Sequence, residues 1–393
     1  MRDGAGGVAG EEYDRRLVFA TACAGMFAYA VTSNCVLAML PLVIREFGID
    51  RVEAGALLTL LTFGVLLGSL LFGPVVDRYG YRGLLLLCAA LALAGIEWLA
   101  MAPSLASLQG AVVLVGFGGG AINGAASALV SDISADGRGA RLSMLGIFYG
   151  IGAMGAPLVI GVFLDRFGYG PAVAGLGAVL VPFMLLTALI RFPMPKRSDG
   201  ISVREALHLV RQPTLLLLGL MLLIESGLET TMGGWTAPFY QEQYGIPTNR
   251  ALLFITLFWS GVMLGRLLHG TVLHRIPILL AIPGSLILAV VGGTIMTLAP
   301  HVIVAAVGTF AVGLGCGGVF PLVLALVGDH YAEASGTAFG VAFTMALIGG
   351  MLLPFVAGVL GSAFGMRAAL VIVPAGLACS ATLFVFGKFA RRG

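Results

Sequence analysis

Charge is what this chain has least of. Only 10% of its 393 residues are Asp, Glu, Lys or Arg, against 59% hydrophobic, and the mean hydropathy is +1.02. Soluble domains carry roughly a quarter charged residues, so a water-soluble globule is excluded, and a net charge of +3 offers no surface for nucleic acid. Cysteine is also scarce: Cys23, Cys35, Cys88, Cys316 and Cys379 stand singly in apolar runs, with no CxxC and no paired framework. That pattern reads as small buried apolar residues, excluding disulfides and a metal site. No nucleophile–base pair, metal cluster or phosphate loop is visible, so neither an enzyme nor a bound cofactor is expected. The glycines of GFGGGAING (116–124) fall inside an apolar run, where they serve helix packing. A signal peptide is not expected at the start: MRDGAGGVAGEEYDRR mixes both signs, and the apolar run from Leu17 is too long for an h-region.

What fills the chain is apolar sequence in lengths that cross about 30 Å of hydrocarbon, roughly 20 residues each. Six runs fall near 17–45, 52–77, 83–102, 106–132, 139–164 and 170–191, and six more near 213–241, 249–274, 277–298, 302–329, 336–362 and 367–388. The expected fold is an all-α membrane protein of twelve transmembrane helices in a lipid bilayer. Its expected organisation is a cytoplasmic tail (1–16), a six-helix bundle (17–191), a cytoplasmic linker (192–212), a second bundle (213–388) and a tail (389–393). Within the linker, ISVREALHLV has the pattern of a short amphipathic surface helix. Of the 22 basic residues, only Arg45, Arg51, Arg166, Arg250 and Arg367 fall in loops on the side opposite the termini, and Arg266 lies inside a span. The positive-inside rule therefore puts both termini in the cytoplasm, and the expected location is the plasma (inner) membrane.

The two halves are one sequence written twice. A shift of 197 residues aligns them without a gap from Pro41 to Gly168: Pro41 falls on Pro238, Gly48 on Gly245, Gly64 on Gly261, Gly116 on Gly313, Asp132 on Asp329 and Pro157 on Pro354. An offset of six spans makes these parallel repeats related by an axis along the membrane normal, with binding expected at their interface.

The loop between spans 2 and 3, GPVVDRYGYR, places Gly73, Asp77, Arg78, Gly80 and Arg82 in one short turn. Glycine lets helices approach closely, and a carboxylate at a span end caps a helix or pairs with an arginine; these residues read as a latch. A variant, GVFLDRFGYG (161–170), closes span 5 on the other side. The residues resemble the Gly-x-x-x-Asp-Arg-x-Gly-x-Arg loop of the major facilitator superfamily, and the resemblance covers the chain from about 17 to 388. It implies a secondary transporter of a small-molecule solute, working by alternating access and as a monomer.

Ionisable residues inside spans are the default functional candidates: Glu97, Glu225, Glu229, Arg266 and His269. Glu97 falls on a span that the resemblance makes peripheral. Glu229 lies near the middle of span 7, and Glu225 shares its face one turn earlier. The depth of Arg266 suggests a structural pair with Glu225, leaving Glu229 as the proton-coupling or substrate-binding group. IESGLETTMGGWTAPFY, LFWSGVMLGRLLHG and GTFAVGLGCGGVFPLVLAL resemble the fucose/glucose-type sugar symporters of the superfamily. Relatives often carry acids where this chain has Asn34 and Asn123, which bind sugar hydroxyls but carry no proton. A sugar site wants planar amides and an aromatic face, so the candidate substrate contacts are Thr32, Asn34, Asn123, Ser127, Tyr149, Trp235 and Trp259. A proton is the expected coupling ion, with sodium as the other choice. Two alternatives stay open: a drug/proton antiporter, because GAMGAPLVIGVFLD partly matches the antiporter pattern, and an organic-anion transporter using Arg266.

Overall fold

The computed structural model describes residues 13–134, 138–194, 211–331 and 335–387. Among the described residues all regular secondary structure is helical, and twelve helices are long and apolar enough to cross a bilayer. Spans 1 to 6 are Arg15–Ala38, Arg51–Val76, Arg78–Ala100, Leu105–Ile133, Met144–Phe167 and Tyr169–Leu189; spans 7 to 12 are Pro213–Tyr244, Thr248–Thr271, Ile278–Leu298, Val302–His330, Thr337–Phe364 and Met366–Phe386. Both ends of the chain, and the ISVREALHLV segment of the linker, lie outside the described residues.

Two boundaries differ from the sequence expectation. Span 1 stops at Ala38 and not near 45, and a separate short helix, Leu40–Phe47, follows. Pro41 sits in the first turn of the new helix, where its missing N–H costs no hydrogen bond; its repeat mate Pro238 is carried inside the unbroken span 7, so the proline accommodates the break without forcing it. The expected loop between spans 2 and 3 shrinks to a kink at Gly80, whose φ of 74° and ψ of 171° are open to glycine and strained for other residues.

The repeat is visible in the backbone as well as in the letters. Gly48 and Gly245, 197 residues apart, end their helices with φ of 61° and 63°. Span 2 approaches span 4 through glycine on both sides: a Cβ on Gly64 would lie 3.1 Å from the Cα of Gly116. In the second half a Cβ on Gly261 would lie 2.9 Å from the amide nitrogen of Leu314 and 3.2 Å from the carbonyl carbon of Gly313. Water cannot drive helices together inside lipid, so close backbone approach at small residues supplies the association through dispersion.

The two halves meet through spans 2 and 11 and through spans 5 and 8. At the end of the molecule where span 2 begins, called here the Arg51 face, Arg51 reaches both Glu242 and the carbonyl of Gly361, and Asn249 donates to Asp165 at 2.6 Å. Deeper in, the hydroxyl of Thr59 donates to the carbonyl of Met351 at 2.8 Å, and that of Thr62 to the carbonyl of Gly350 at 3.2 Å. Thr62 lies eleven residues into span 2, about 17 Å by helical rise, so these links seal the Arg51 face down to roughly mid-depth.

Candidate functional site

At that depth lies a cavity of about 110 Å³ between the halves, room for several waters or a small solute given that one water needs roughly 10–15 Å³. Three aromatic rings form one wall. Tyr29 of span 1, Tyr149 of span 5 and Trp259 of span 8 follow one another with ring centroids 5.7 Å apart at each step. Ser33, Thr62, Ser226 and Thr230 line the rest, together with leucine and valine side chains and Glu229; the Ser33 hydroxyl is buried, and those of Thr62 and Thr230 donate to the carbonyls of Gly350 and Ser226.

All charge at this site comes from the second half of the chain. Arg266 extends from span 8 so that its Nη2 lies 3.5 Å from Oε1 of Glu229, with the guanidinium carbon 5.8 Å from the Tyr149 ring centroid. A close approach to span 10 fixes the rotation of this part of span 8: a Cβ on Gly265 would lie 3.3 Å from the Cα of Gly317. Arg266 therefore leaves the helix on the cavity side. Its partner is not the expected one. Glu225 is fully buried, and neither of its oxygens has a hydrogen-bond partner among the described residues. The physical reason is hydration. In this conformation the guanidinium paired with Glu229 keeps 20% of its side chain exposed and the carboxylate 13%, whereas a pair at Glu225 would keep less contact with water.

The other sequence-expected residues divide into three groups. Tyr149, Trp259 and Glu229 line the cavity. Asn34 is buried near Tyr149, its amide nitrogen donating to the carbonyl of Ala30 at 2.9 Å, and Thr32 is buried with its hydroxyl on the carbonyls of Ala28 and Tyr29. Neither lines the cavity. Trp235 is buried away from it and donates from Nε1 to the carbonyl of Pro354 at 2.9 Å, so it ties span 7 to span 11. Asn123 and Ser127 are half-buried on span 4, one and two turns past Gly119, where the chain meets Tyr29.

The remaining intramembrane groups have structural surroundings. His269 contacts the carbonyl of Gly265 and the hydroxyl of Ser285 at 2.9 and 3.1 Å, tying span 8 to span 9. Glu97 sits against Gly177 of span 6. In the span 2–3 turn, Arg82 donates to the carbonyl of Ala188 on span 6 and Arg78 covers the ring of Tyr79 at 5.4 Å. Tyr81 donates to Asp132 on span 4 at 2.7 Å. Gly73 has nothing within 4 Å of a Cβ position, so the close approach expected there is absent, and the side chain of Asp77 lies outside the described residues.

Tyr29, Ser33, Thr62, Ser226 and Thr230 were not anticipated, yet the repeat contained the signal. A shift of 197 carries Tyr29 onto Ser226, Ser33 onto Thr230 and Thr62 onto Trp259, so six cavity residues are three symmetry-related pairs. Looking for charge alone missed them, because only Glu229 is charged, and its mate is Thr32.

The comparisons with known proteins agree with this architecture. The Major Facilitator Superfamily profile matches residues 21–310. The chain is 21% identical to the inner membrane transport protein YdiN of Escherichia coli (strain K12) over 359 residues, 88% of this chain and 84% of that protein. Among solved structures, a D-xylose-proton symporter superposes with a TM-score of 0.78 at 15% identity, covering 94% of this chain and 97% of the symporter. A bacterial homolog of the human lysosomal transporter Spinster, in an inward-facing and occupied conformation, superposes at 0.77 and 16% identity over 97% and 98% of the two chains. Twelve apolar spans in two repeated halves, a cavity between the halves and a profile match over most of the length make this chain a multi-pass membrane transporter of the Major Facilitator Superfamily, not an enzyme.

Proposed function

We propose that the protein carries a small, neutral, hydroxyl-bearing solute of the sugar class together with a proton, by alternating access between its two halves. The observation that carries this reading is the engagement of Arg266 by Glu229 at the cavity edge. With that cation matched by a carboxylate, what the cavity offers a solute is serine and threonine residues and a wall of three rings. Hydroxyls exchange hydrogen bonds with the hydroxyls of a sugar, and an aromatic face covers its apolar C–H surface. An organic anion would have to displace Glu229 to reach Arg266, which weighs against the anion reading.

The division of labour follows the halves. The first half supplies Tyr29, Ser33, Thr62 and Tyr149 for binding, and the second supplies Glu225, Glu229 and Arg266 for coupling, with Ser226, Thr230 and Trp259 completing the binding wall. The bundles are 17–191 and 213–388, joined by 192–212, and one chain is the working unit. With both termini cytoplasmic in the inner membrane, the sealed Arg51 face is the outer one and the conformation is inward-facing. The turn holding Asp77 and Arg78 then lies on the cytoplasmic side, where it latches the alternate conformation.

Reconstitution into proteoliposomes tests the reading. An imposed pH gradient is expected to drive accumulation of a radiolabelled pentose or hexose, and a sodium gradient at equal pH is expected to do nothing. Uptake of aromatic carboxylates but not sugars, or expulsion of amphipathic cations against an inward proton gradient, would replace the sugar reading with one of its two alternatives.

A further inference from the structure

Glu225 is the feature that the proposed cycle leaves unexplained. It is fully buried, neither of its oxygens meets an N–H or hydroxyl donor, and its carboxyl lies beside that of Glu229, one helical turn away, which already holds the local arginine. A buried charge without a partner is among the costliest arrangements in a protein. We infer that Glu225 and Glu229 share Arg266 as a two-position switch: Glu225 holds the proton while Arg266 pairs with Glu229, and Glu229 holds it once Arg266 has moved to Glu225. This inference rests on the proton-coupled reading above and assigns the two acids different roles within it.

Geometry supports the exchange. Four residues of helix separate the two acids by about 6 Å along the axis, on one face. Arg266 leaves span 8 only five residues before its end at Thr271, on the side away from the Arg51 face. Span 7 runs from that same side, so Glu225 lies closer than Glu229 to the depth of the arginine's backbone. The side chain must therefore reach upward to meet Glu229, at 3.5 Å, and retraction by one turn brings it to Glu225. Few other groups compete. Span 10 presents Cys316 to the cluster, span 5 presents Tyr149 and span 1 presents Tyr29 behind it. His269 of span 8 is engaged with Gly265 and Ser285. Span 11 carries no titratable side chain, and Cys379 of span 12 is exposed.

The step balances. One O–H bond breaks on Glu225, one forms on Glu229, and Arg266 trades one carboxylate for the other, so the cluster of two acids and one arginine stays neutral throughout. Glu229 lines the cavity and Glu225 does not. The exchange therefore brings the proton from a sealed position to one that touches solute and water, and a bound solute can bias it.

Infrared spectroscopy of the purified, detergent-solubilised protein tests this without any gradient or solute, by the C=O stretch of a buried protonated carboxyl and its shift in D2O. The wild type is expected to show one such band. Glu225→Gln is expected to abolish it with the fold intact by circular dichroism. Glu229→Gln is also expected to abolish it, because Arg266, deprived of its partner, moves to Glu225 and ionises it. Arg266→Gln is expected to raise the band about twofold, since both acids must then be neutral. A band that survives Glu229→Gln overturns the switch and leaves Glu225 a fixed neutral acid, and one that survives Glu225→Gln places the proton on Glu229 instead. Absence of any band in the wild type also overturns it. Sugar uptake that ignores a pH gradient would sink the coupling reading while these bands still decided the switch.

Discussion

Arg51 and Glu242 join the two halves across the sealed face, Nη2 to Oε2 at 2.5 Å. The same guanidinium bonds the carbonyl of Gly361, and the other oxygen of Glu242 accepts from the amide of Met366 at 3.0 Å, so four spans (2, 7, 11 and 12) converge on one ion pair. Arg51→Gln is expected to shift the conformational equilibrium toward opening of this face. An exposed pair is worth about 0.2–1 kcal/mol and a charge-assisted bond to a carbonyl about 1.5–3 kcal/mol. Together they predict a shift of at least tenfold, since 1.4 kcal/mol is one decade. Labelling of a cysteine introduced as Thr62→Cys, by a membrane-impermeant thiol reagent from the Arg51 side, reads it. Unchanged labelling would mean that the pair decorates a seal made by the helices themselves.

The second clasp lies on the other seam, where Asn249 of span 8 donates to Asp165 of span 5 at 2.6 Å. Asp165 belongs to GVFLDRFGYG, the variant of the span 2–3 motif at the Arg51 face. The two clasps share no residue, and both report on one two-state opening, so their free energies should add. Asp165→Ala alone is expected to increase Thr62→Cys labelling severalfold, and combined with Arg51→Gln the two increments are expected to multiply. A double variant no more open than Arg51→Gln alone would show that the span 5–8 seam does not control opening.

Glycines that look alike in sequence separate in the structure. Gly64 belongs to a close crossing, and an added methyl would sit 3.0 Å from the amide nitrogen of Phe117, with backbone that cannot yield. Gly73 meets nothing within 4 Å. Gly64→Ala is expected to cost about 1–3 kcal/mol, the usual penalty for overpacking, and to lower the unfolding temperature in detergent. Gly73→Ala is expected to leave that temperature unchanged. Equal behaviour of the two variants would contradict the packing described here.

How much of this was legible in the sequence depends on the range of the interaction involved. Twelve spans and the 197-residue repeat could be read because hydrophobic length and glycine placement are local properties, and the repeat marked Gly64 and Gly261 as equivalent before any contact was known. The partner of Arg266 could not be read. Both acids lie within reach of a long side chain, and the choice between them depends on which one meets the cavity's water. Asn34 pointed toward binding on residue type alone, whereas its helix rotation places it behind Tyr149. The kink at Gly80 needed only local chemistry, but the apolar run around it was continuous enough to hide it; the break before Pro41 has no counterpart at its repeat mate Pro238, so the proline alone did not announce it.

Two tryptophans with equal standing in the sequence provide the last prediction. Trp235 is buried between spans 7 and 11, and its indole N–H is satisfied by the carbonyl of Pro354. Trp259 is equally buried, yet it lines the cavity, stacks edgewise on Tyr149 and has no partner for its N–H among the described residues. Trp235→Phe removes the indole's bond to a helical carbonyl, a loss of about 0.5–1.5 kcal/mol. It is expected to lower thermal stability while leaving the apparent KM for the solute unchanged. Trp259→Phe removes a donor that contributes nothing to the fold in this conformation, so stability should hold. A ring without its N–H keeps the apolar face but loses any bond to a solute oxygen, and the apparent KM is expected to rise about five- to tenfold, the equivalent of one hydrogen bond of about 1 kcal/mol or somewhat more. The measurement is paired: melting temperature and KM for both variants, in the same detergent and the same liposomes. Trp259 would be removed from the binding wall if its Phe variant lost stability and kept its KM, and Tyr149 would then be the ring to test.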